Sequence, residues 1–532
     1  MKRLFFPLLI LSVFVASISA QRSNNNNTNA RKLQLALYAI SNLYVDTTDK
    51  TKLVEDAIIG MLKELDPHST YSDPEETKEM TEPLQGNFDG IGIQFNMLTD
   101  TLYVIQVIPG GPSEKVGLMA GDRIIMVDDT LIAGVKMKNT DIMKRLRGPK
   151  NTEVRVKVQR NGVPELIEFK IIRGKIPVYS LDAAYMADKR TGYIKLNRFA
   201  ASSADEFREA LAKLKKQGMK HLILDLQGNG GGYLNIAIEL ADEFLSKDKL
   251  IVYTEGNKQP REEAKSTTRG GFEEGRLVVL VDETSASASE IVSGAIQDWD
   301  RGVVVGRRTF GKGLVQKPIP MPDKSMIRLT VARYYTPTGR SIQKPYVNGD
   351  KEQYNHDLID RYNRGELMSK DSIHFPDSLK FNTLETKRTV YGGGGIMPDV
   401  FIPVDTTRYT DYHRSIVAAG LVNRISMNYI DGHRAELNKK YPKLIQFKQN
   451  FNVTEEMMKE LVALAEKEKI AYNEEQYNRS KDLIMLQIKA LIARDLYDMT
   501  EYFQIINDEN ESFQEALRII NDEQRYNKAL GK

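Results

Sequence analysis

The 532-residue chain has no cysteine, 75 Lys and Arg against 72 Asp and Glu, 41% apolar and 28% charged residues. At about 100–200 residues per domain, this length excludes a single small binding module. The balanced charge shows no bias toward a polyanion, and the missing cysteines exclude disulfide staples, thiolate nucleophiles, zinc–thiolate sites and iron–sulfur clusters. Covalent chemistry must use oxygen or nitrogen.

Residues 1–20 run Lys2-Arg3, an apolar stretch from Leu4 to Val15, then Ala16, Ser17, Ser19 and Ala20. That order predicts a secretory signal peptide cut near Ala20. An apolar run of about 12 residues is too short for a bilayer span, which takes about 20. With no lipobox cysteine, the mature protein is expected to be soluble and exported across the inner membrane to the periplasm. Losing Lys2 and Arg3 takes two from the formal charge of +3. Residues 21–30 are Asn-rich and read as a disordered spacer.

Residues 31–85 form a helical entry region, clearest where Leu53, Ala57, Met61 and Leu65 recur at i+4 before Asp66-Pro67. Residues 86–175 change period. Ile91/Ile93/Phe95, Leu102/Val104 and Val154/Val156/Val158 alternate as strands, Pro109 to Pro112 turns the chain, and Asn139 to Leu146 is helical. From 176 to 405 apolar strands (His221 to Leu226, Leu277 to Val281, Val303 to Val305) alternate with helices (Leu234 to Leu245, Ser289 to Gln297), predicting a multidomain α/β or α+β chain. The polar interval 346–389 reads as an insertion or long loop, and 406–532 as a helical appendage with Met457/Leu461/Leu464 and Leu483/Gln487/Leu491 stripes.

Two motifs are decoys. Gly306-x-x-x-x-Gly311-Lys312 lacks the Ser or Thr of a P-loop, and Pro318, Pro320 and Pro322 forbid the helix that should follow. Ser341-x-x-Lys344 has the spacing of a penicillin-binding Ser–Lys pair, but Pro337, Gly339 and Pro345 argue against its helix. There is no H-E-x-x-H and the six histidines stand singly, so no metal and no cofactor is expected.

Three segments remain. Gly228-Asn229-Gly230-Gly231-Gly232 follows a strand and precedes a helix, where backbone N–H groups can face an anion or simply turn the chain. Ser285-Ala286-Ser287-Ala288-Ser289-Glu290 sits on a strand-to-helix turn, which reads either as a Ser-rich N-cap or as an exposed hydroxyl beside free helix N–H groups. A serine needs a base, and a desolvated lysine can serve. Lys312, flanked by Gly311 and Gly313 with Phe310 and Leu314 nearby, is the candidate. If Gly313 to Lys317 is a strand, Lys312, Leu314 and Gln316 share one face, and the Gln316 amide can orient the amine.

Taken together, Ser285-Ala-Ser-Ala-Ser-Glu-Ile, Gln297-Asp298, Val304-Val-Gly306, Thr309-Phe-Gly-Lys-Gly313 with Gln316, Ala332-Arg-Tyr-Tyr-Thr-Pro337, Gly339-Arg-Ser-Ile-Gln343 and Gly395-Ile-Met-Pro-Asp399 resemble the carboxy-terminal processing (tail-specific) protease family. The resemblance covers most of residues 31–405 and weakens in 346–389. It implies a secreted serine endopeptidase with a crotonase-like core, Ser287 as nucleophile, Lys312 as general base and Gln316 as its orienting partner. It also implies an oxyanion hole from Gly231 or Gly232 with the Ala288 N–H, though Gln227 and Gly230 stand where the family usually shows Arg and often Pro. Asp298 is expected to be structural support.

The β-rich segment resembles the family's PDZ domain, with Gly90-Ile91-Gly92-Ile93 as carboxylate-binding loop and Gly117 to Ile124 as second signature. Ile91, Ile93, Ile142 and Leu146 would line a pocket for the last side chain of an apolar protein tail. A homodimer through the helical ends is a further expectation. Two rivals stand beside the protease: a non-catalytic PDZ scaffold that tethers protein C-termini, and an acyl-transfer enzyme acting on small thioesters.

Overall fold

The computed structural model describes residues 28–98 and 100–532. The expected signal peptide lies outside the described residues, as does most of the spacer, of which 28–30 already belong to a helix over 28–43. The described residues divide into two compact units, one of residues 28–77, 316–330 and 346–355, the other of the remainder.

The smaller unit holds the helix over 28–43, the helix Lys50–Lys63 and the strand Thr70–Ser72, which pairs antiparallel with Met326 to Arg328. Asp49 caps Lys50–Lys63 by accepting from the Thr51 and Lys52 N–H groups, relieving two of the four donors a helix start leaves unpaired. The expected apolar stripe is not the buried face. Leu62 is the buried residue, while Met61 and Leu65 are 52% and 40% exposed.

In the larger unit, residues 93–172 form an antiparallel sheet in the order Ile93–Leu98, Thr101–Val107, Arg123–Val127, Glu153–Gln159, Ile167–Ile172. Alternation puts Val154, Val156 and Val158 in the core beside Leu102, Val104 and Ile124, as a period of two requires. Two short helices, Pro112–Lys115 and Asn139–Leu146, complete it. Ile93–Leu98 is an edge strand of this sheet.

The second sheet has the order Leu181–Met186, Thr191–Leu196, His221–Asp225, Leu277–Val281, Val303–Gly306, Val400–Phe401, antiparallel at the first pair and parallel thereafter. Parallel strands covered on both faces read as unbroken apolar runs, and every residue of His221–Asp225 and Leu277–Val281 is buried. Leu222 and Leu224 face a core shared with the helices Ser203–Lys216, Leu234–Asp242 and Ala288–Asp298. Ile223 and Val278 face the opposite way, onto Phe513, Ile519, Ile520 and Tyr526.

That second face corrects the reading of 406–532 as an appendage. Helices Glu511–Asn521 and Glu523–Ala529 cover the sheet, and Leu421–Lys440, Glu455–Lys467 and Glu474–Leu496 build a core of their own. Helix Leu421–Lys440 also grips the β-rich domain through Asp431. Its carboxylate pairs with Arg123 and accepts from the Tyr103 hydroxyl at 3.2 Å, and its carbonyl accepts from Asn161 at 3.2 Å. Nor is 346–389 a long loop: it carries the helix Lys351–Asn363 and the strand Lys380–Asn382, which pairs with Thr389–Tyr391.

Candidate active site

The buried strand Leu277–Val281 ends at Asp282, whose carboxylate accepts the N–H groups of Thr284 and Ser285 at 2.9 and 3.0 Å and so turns the chain. The helix Ala288–Asp298 starts one residue after Ser287. Ser287 itself sits at φ +56°, a left-handed conformation that L-residues rarely take. It is half-buried between Ala286 and Ala288, which are 7% and 1% exposed.

Glu290 ties this serine to the expected base. One fully buried carboxylate accepts from the Ser287 N–H at 2.8 Å, the Gly311 N–H at 2.7 Å, the Lys312 N–H at 2.9 Å and the Thr309 hydroxyl at 2.5 Å. Burial pushes its carboxyl up to about 7, against the downward pull of these four donors. The Tyr334 hydroxyl makes a second link, lying between the carbonyl oxygens of Ser287, at 3.2 Å, and Lys312. Ser287 and Lys312, 25 residues apart in sequence, thus have their backbones fastened at both polarities.

Lys312 is half-buried and lies in an irregular segment between Val303–Gly306 and Leu314–Pro320. Strand geometry therefore does not set its face, which corrects the period-two argument linking it to Gln316. Gln316 belongs to the smaller unit. Its amide nitrogen donates to the Thr330 hydroxyl at 3.2 Å, which donates to Asp66 at 2.8 Å.

The glycine segment lies against the serine turn. Asn229, fully buried, accepts the Ala286 N–H at 3.0 Å and the Ser289 hydroxyl at 2.9 Å on its carbonyl. Its side-chain oxygen takes the Gly231 N–H at 2.8 Å. Gly231, one of the two expected oxyanion donors, is therefore already engaged. The N–H groups of Gly232 and Ala288 have no acceptor among the described residues. A Cβ on Gly231 would stand 2.9 Å from both the Ala286 carbonyl oxygen and the Ser287 Cβ, and one on Gly232 would stand 2.2 Å from the Phe199 carbonyl oxygen. Close backbone approach fixes glycine at both positions.

Asp298 is buried with Arg340 at 2.7 Å and caps Thr338 through N–H and hydroxyl at 2.9 and 2.8 Å, a structural role as expected. The decoy Lys344 pairs with Asp357 at 2.9 Å. In the β-rich domain Gly90 ends the strand Asn87–Gly90, Gly92 takes φ +80° and Ile93 opens the edge strand. Ile91, Ile142 and Leu146 are 3%, 0% and 4% exposed. These three expected pocket residues are closed into the domain core, with Ile93 packed against them.

Glu290, Asn229 and Tyr334 all stand inside the sequence motifs, but the motifs alone assign none of them a role. Only Glu290 had a local signal, the Ser-x-x-Glu spacing of a capping box.

Comparison with known proteins finds the pattern of peptidase family S41 over residues 190–353, of a PDZ domain over 90–171 and of the activating protease CtpB N-terminal domain over 12–77. A family of unknown function matches 412–498. A carboxy-terminal-processing protease of Bartonella bacilliformis is 36% identical over 355 residues, 64% of this chain and 80% of that one. The carboxy-terminal processing protease CtpB of Bacillus subtilis is 35% identical, over 61% of this chain and 68% of its own length. A probable CtpA-like serine protease of Staphylococcus aureus is 34% identical, over 65% and 70% respectively.

Proposed function

Because the chain belongs to the carboxy-terminal processing proteases, serine-type peptidases with a PDZ domain, we propose that Ser287 is its nucleophile and Lys312 its general base. The carrying observation is the single Glu290 carboxylate that holds the N–H groups of both residues at 2.8 and 2.9 Å. Lys312 takes the Ser287 hydroxyl proton as the oxygen attacks the peptide carbonyl. The developing oxyanion is held by the N–H groups of Gly232 and Ala288, each worth about 3 kcal/mol in the transition state. Lys312 returns the proton to the leaving amine, and a water activated by the same amine releases the acyl-enzyme.

Gln316 orients the Lys312 amine in this reading. This role rests on the family resemblance alone. For Lys312 to act near neutral pH its amine must be held well below the ordinary lysine range. Activity should then rise with pH through an apparent base well under that of free lysine, and a profile rising only near pH 10 would overturn the assignment.

The PDZ domain selects substrates with apolar C-terminal tails. An extended tail adds to the edge strand Ile93–Leu98, whose outer side is open in the sheet order, and the Gly90–Ile93 turn takes the terminal carboxylate. Because Ile142 has no exposed surface, the last side chain must displace core packing, and binding orders a pocket that is closed in its absence. Export to the periplasm follows from the composition of residues 1–20. Pairing with a second copy is supported by Leu35, Tyr38 and Leu43 of the N-terminal helix, 65%, 64% and 78% exposed. Sedimentation of the wild type as a dimer and of Leu35→Glu/Leu43→Glu as a monomer checks it.

The deciding experiment is mass spectrometry of the protein treated with a fluorophosphonate or peptide inhibitor, expected to place an adduct on Ser287. Cleavage of an unstructured, apolar-tailed substrate surviving in both Ser287→Ala and Lys312→Ala would overturn the dyad, whereas tail binding without any cleavage by the wild type would leave the PDZ scaffold as the better reading.

A further inference from the structure

The segment from Thr309 to Gly313 has no regular secondary structure, yet Thr309, Gly311 and Gly313 are buried. Buried irregular backbone must find a partner for each peptide group. The N–H groups of Thr309 and Phe310 donate to the carbonyls of Ile396 and Ser285 at 3.1 and 3.0 Å. Those of Gly311 and Lys312 go to Glu290 and that of Gly313 to the Gln343 side chain at 2.7 Å. On the carbonyl side, Gly311 accepts from the Lys344 N–H at 2.9 Å and Gly313 from the Tyr334 N–H at 3.0 Å.

The carbonyls of Thr309 and Phe310 are met by one side chain, Arg361, whose Nη1 and Nη2 donate to them at 2.8 and 3.0 Å. Arg361 is 1% exposed and comes from the helix Lys351–Asn363, inside the interval where resemblance to the family fades. Its Nε lies 3.0 Å from Asp357, which also holds Lys344 at 2.9 Å. The Lys344 ammonium sits 4.0 Å from the centre of the Phe310 ring. Glu366, from the same interval, pairs with Arg308 one residue before the segment.

We propose that Arg361, held by Asp357, is a positioning residue for the general base: its guanidinium fork fixes the two peptide carbonyls just before Gly311-Lys312 and so sets where the Lys312 amine stands. This rests on the reading of Lys312 as base. The planar fork explains the residue type, since it holds two successive carbonyl oxygens from one rigid group, whereas a lysine ammonium on its flexible stem leaves their spacing unset. The surrounding charges fit a locked assembly. Burial pushes the Asp357 carboxyl up, but Arg361 and Lys344 outweigh it and hold the group below its usual range, with Arg308 adding to them. Glu290 closes the N–H side of the same segment.

The test compares wild type, Arg361→Lys, Asp357→Asn and Lys312→Ala on one unstructured peptide with an apolar tail, with kcat divided by the active-site concentration from burst titration. A displacement of about 1 Å at a catalytic group costs about a hundredfold. Arg361→Lys is therefore expected to lose about a hundredfold in kcat per active site with KM within threefold, and its pH–rate profile to shift. Asp357→Asn is expected to lose about tenfold, since the fork stays but its brace weakens. A bracing role confined to stability would lower the number of titrated sites and leave kcat per site and the pH profile unmoved, which overturns the inference. If Lys312→Ala keeps its activity, the base assignment itself falls and this inference with it. If Lys312→Ala is dead while Arg361→Lys and Asp357→Asn match wild type, only the positioning role is lost.

Discussion

Two irregular segments flank Ser287, and they treat their backbone polar groups in opposite ways. From Thr309 to Gly313 every N–H and every carbonyl has a partner. From Gly228 to Gly232 the chain is anchored at Asn229 and Gly231, while the Gly232 N–H is left without an acceptor among the described residues. The proposed roles account for the difference: a base that must stay put through two proton transfers gains from a saturated segment, and an oxyanion site must keep donors in reserve for charge that appears only in the transition state. Saturation and open donors are two uses of the same backbone chemistry, joined through the serine turn, where Asn229 accepts from Ala286 and Phe310 donates to Ser285.

The sharpest way to break this contrast is to remove the groups it serves. Ser287→Ala and Lys312→Ala should each lower kcat by at least about 10⁴-fold, read as cleavage of the tailed peptide. Next comes Gly232→Ala. Its Cβ would meet the Phe199 carbonyl oxygen at 2.2 Å, so the loop must shift, and kcat should fall about 10²- to 10³-fold. Retained activity would remove Gly232 from the oxyanion site.

The saturated segment yields to pH. The Glu290 carboxyl stands at about 7 when folded against an ordinary 4.5, with burial the main cause. A raised value means that its contribution to stability is whole below pH 4.5 and is lost as pH rises through about 7. At about 1.4 kcal/mol per pH unit, the loss is about 3 kcal/mol. Urea midpoints between pH 4 and 8 should fall in wild type and not in Glu290→Gln, which cannot ionise. Parallel slopes would mean that the four donors, not burial, govern the group.

The smallest effect is expected away from both segments. Asp431→Ala frees Arg123 and Tyr103 of the PDZ domain from their shared carboxylate, while Asn161 keeps its bond to the backbone carbonyl. It should change KM for tailed substrates by at most about fivefold, since one part-exposed pair is worth at most about 1 kcal/mol. It should leave kcat on a tailless peptide unaltered.

How much of this was legible in the sequence depends on how local each cause is. The strands Leu277–Val281 and Val303–Gly306 and the helix Asn139–Leu146 were readable because burial on one or both faces writes a periodic or continuous apolar pattern. The proposed pair Ser287 and Lys312 stands out in the sequence only through a linked set of motifs. Arg361 was not. Nothing in a polar helix announces that one of its residues is 1% exposed and reaches two carbonyls some fifty residues upstream. The stripe Leu53/Ala57/Met61/Leu65 shows the converse: periodicity predicted an inward face, and Leu62 is the one that turned in. The closed state of Ile142 likewise depends on packing across the whole domain, since its position on the helix says only that it is apolar.

Asp431 has one more consequence. It touches Tyr103, Arg123 and Asn161, which lie on or beside three different strands of the PDZ sheet. Met427, four residues earlier on the same helix, packs against Tyr103 and Ile105, so the domain is held over little more than one helical turn, and a change confined to that turn reaches several strands of the sheet at once.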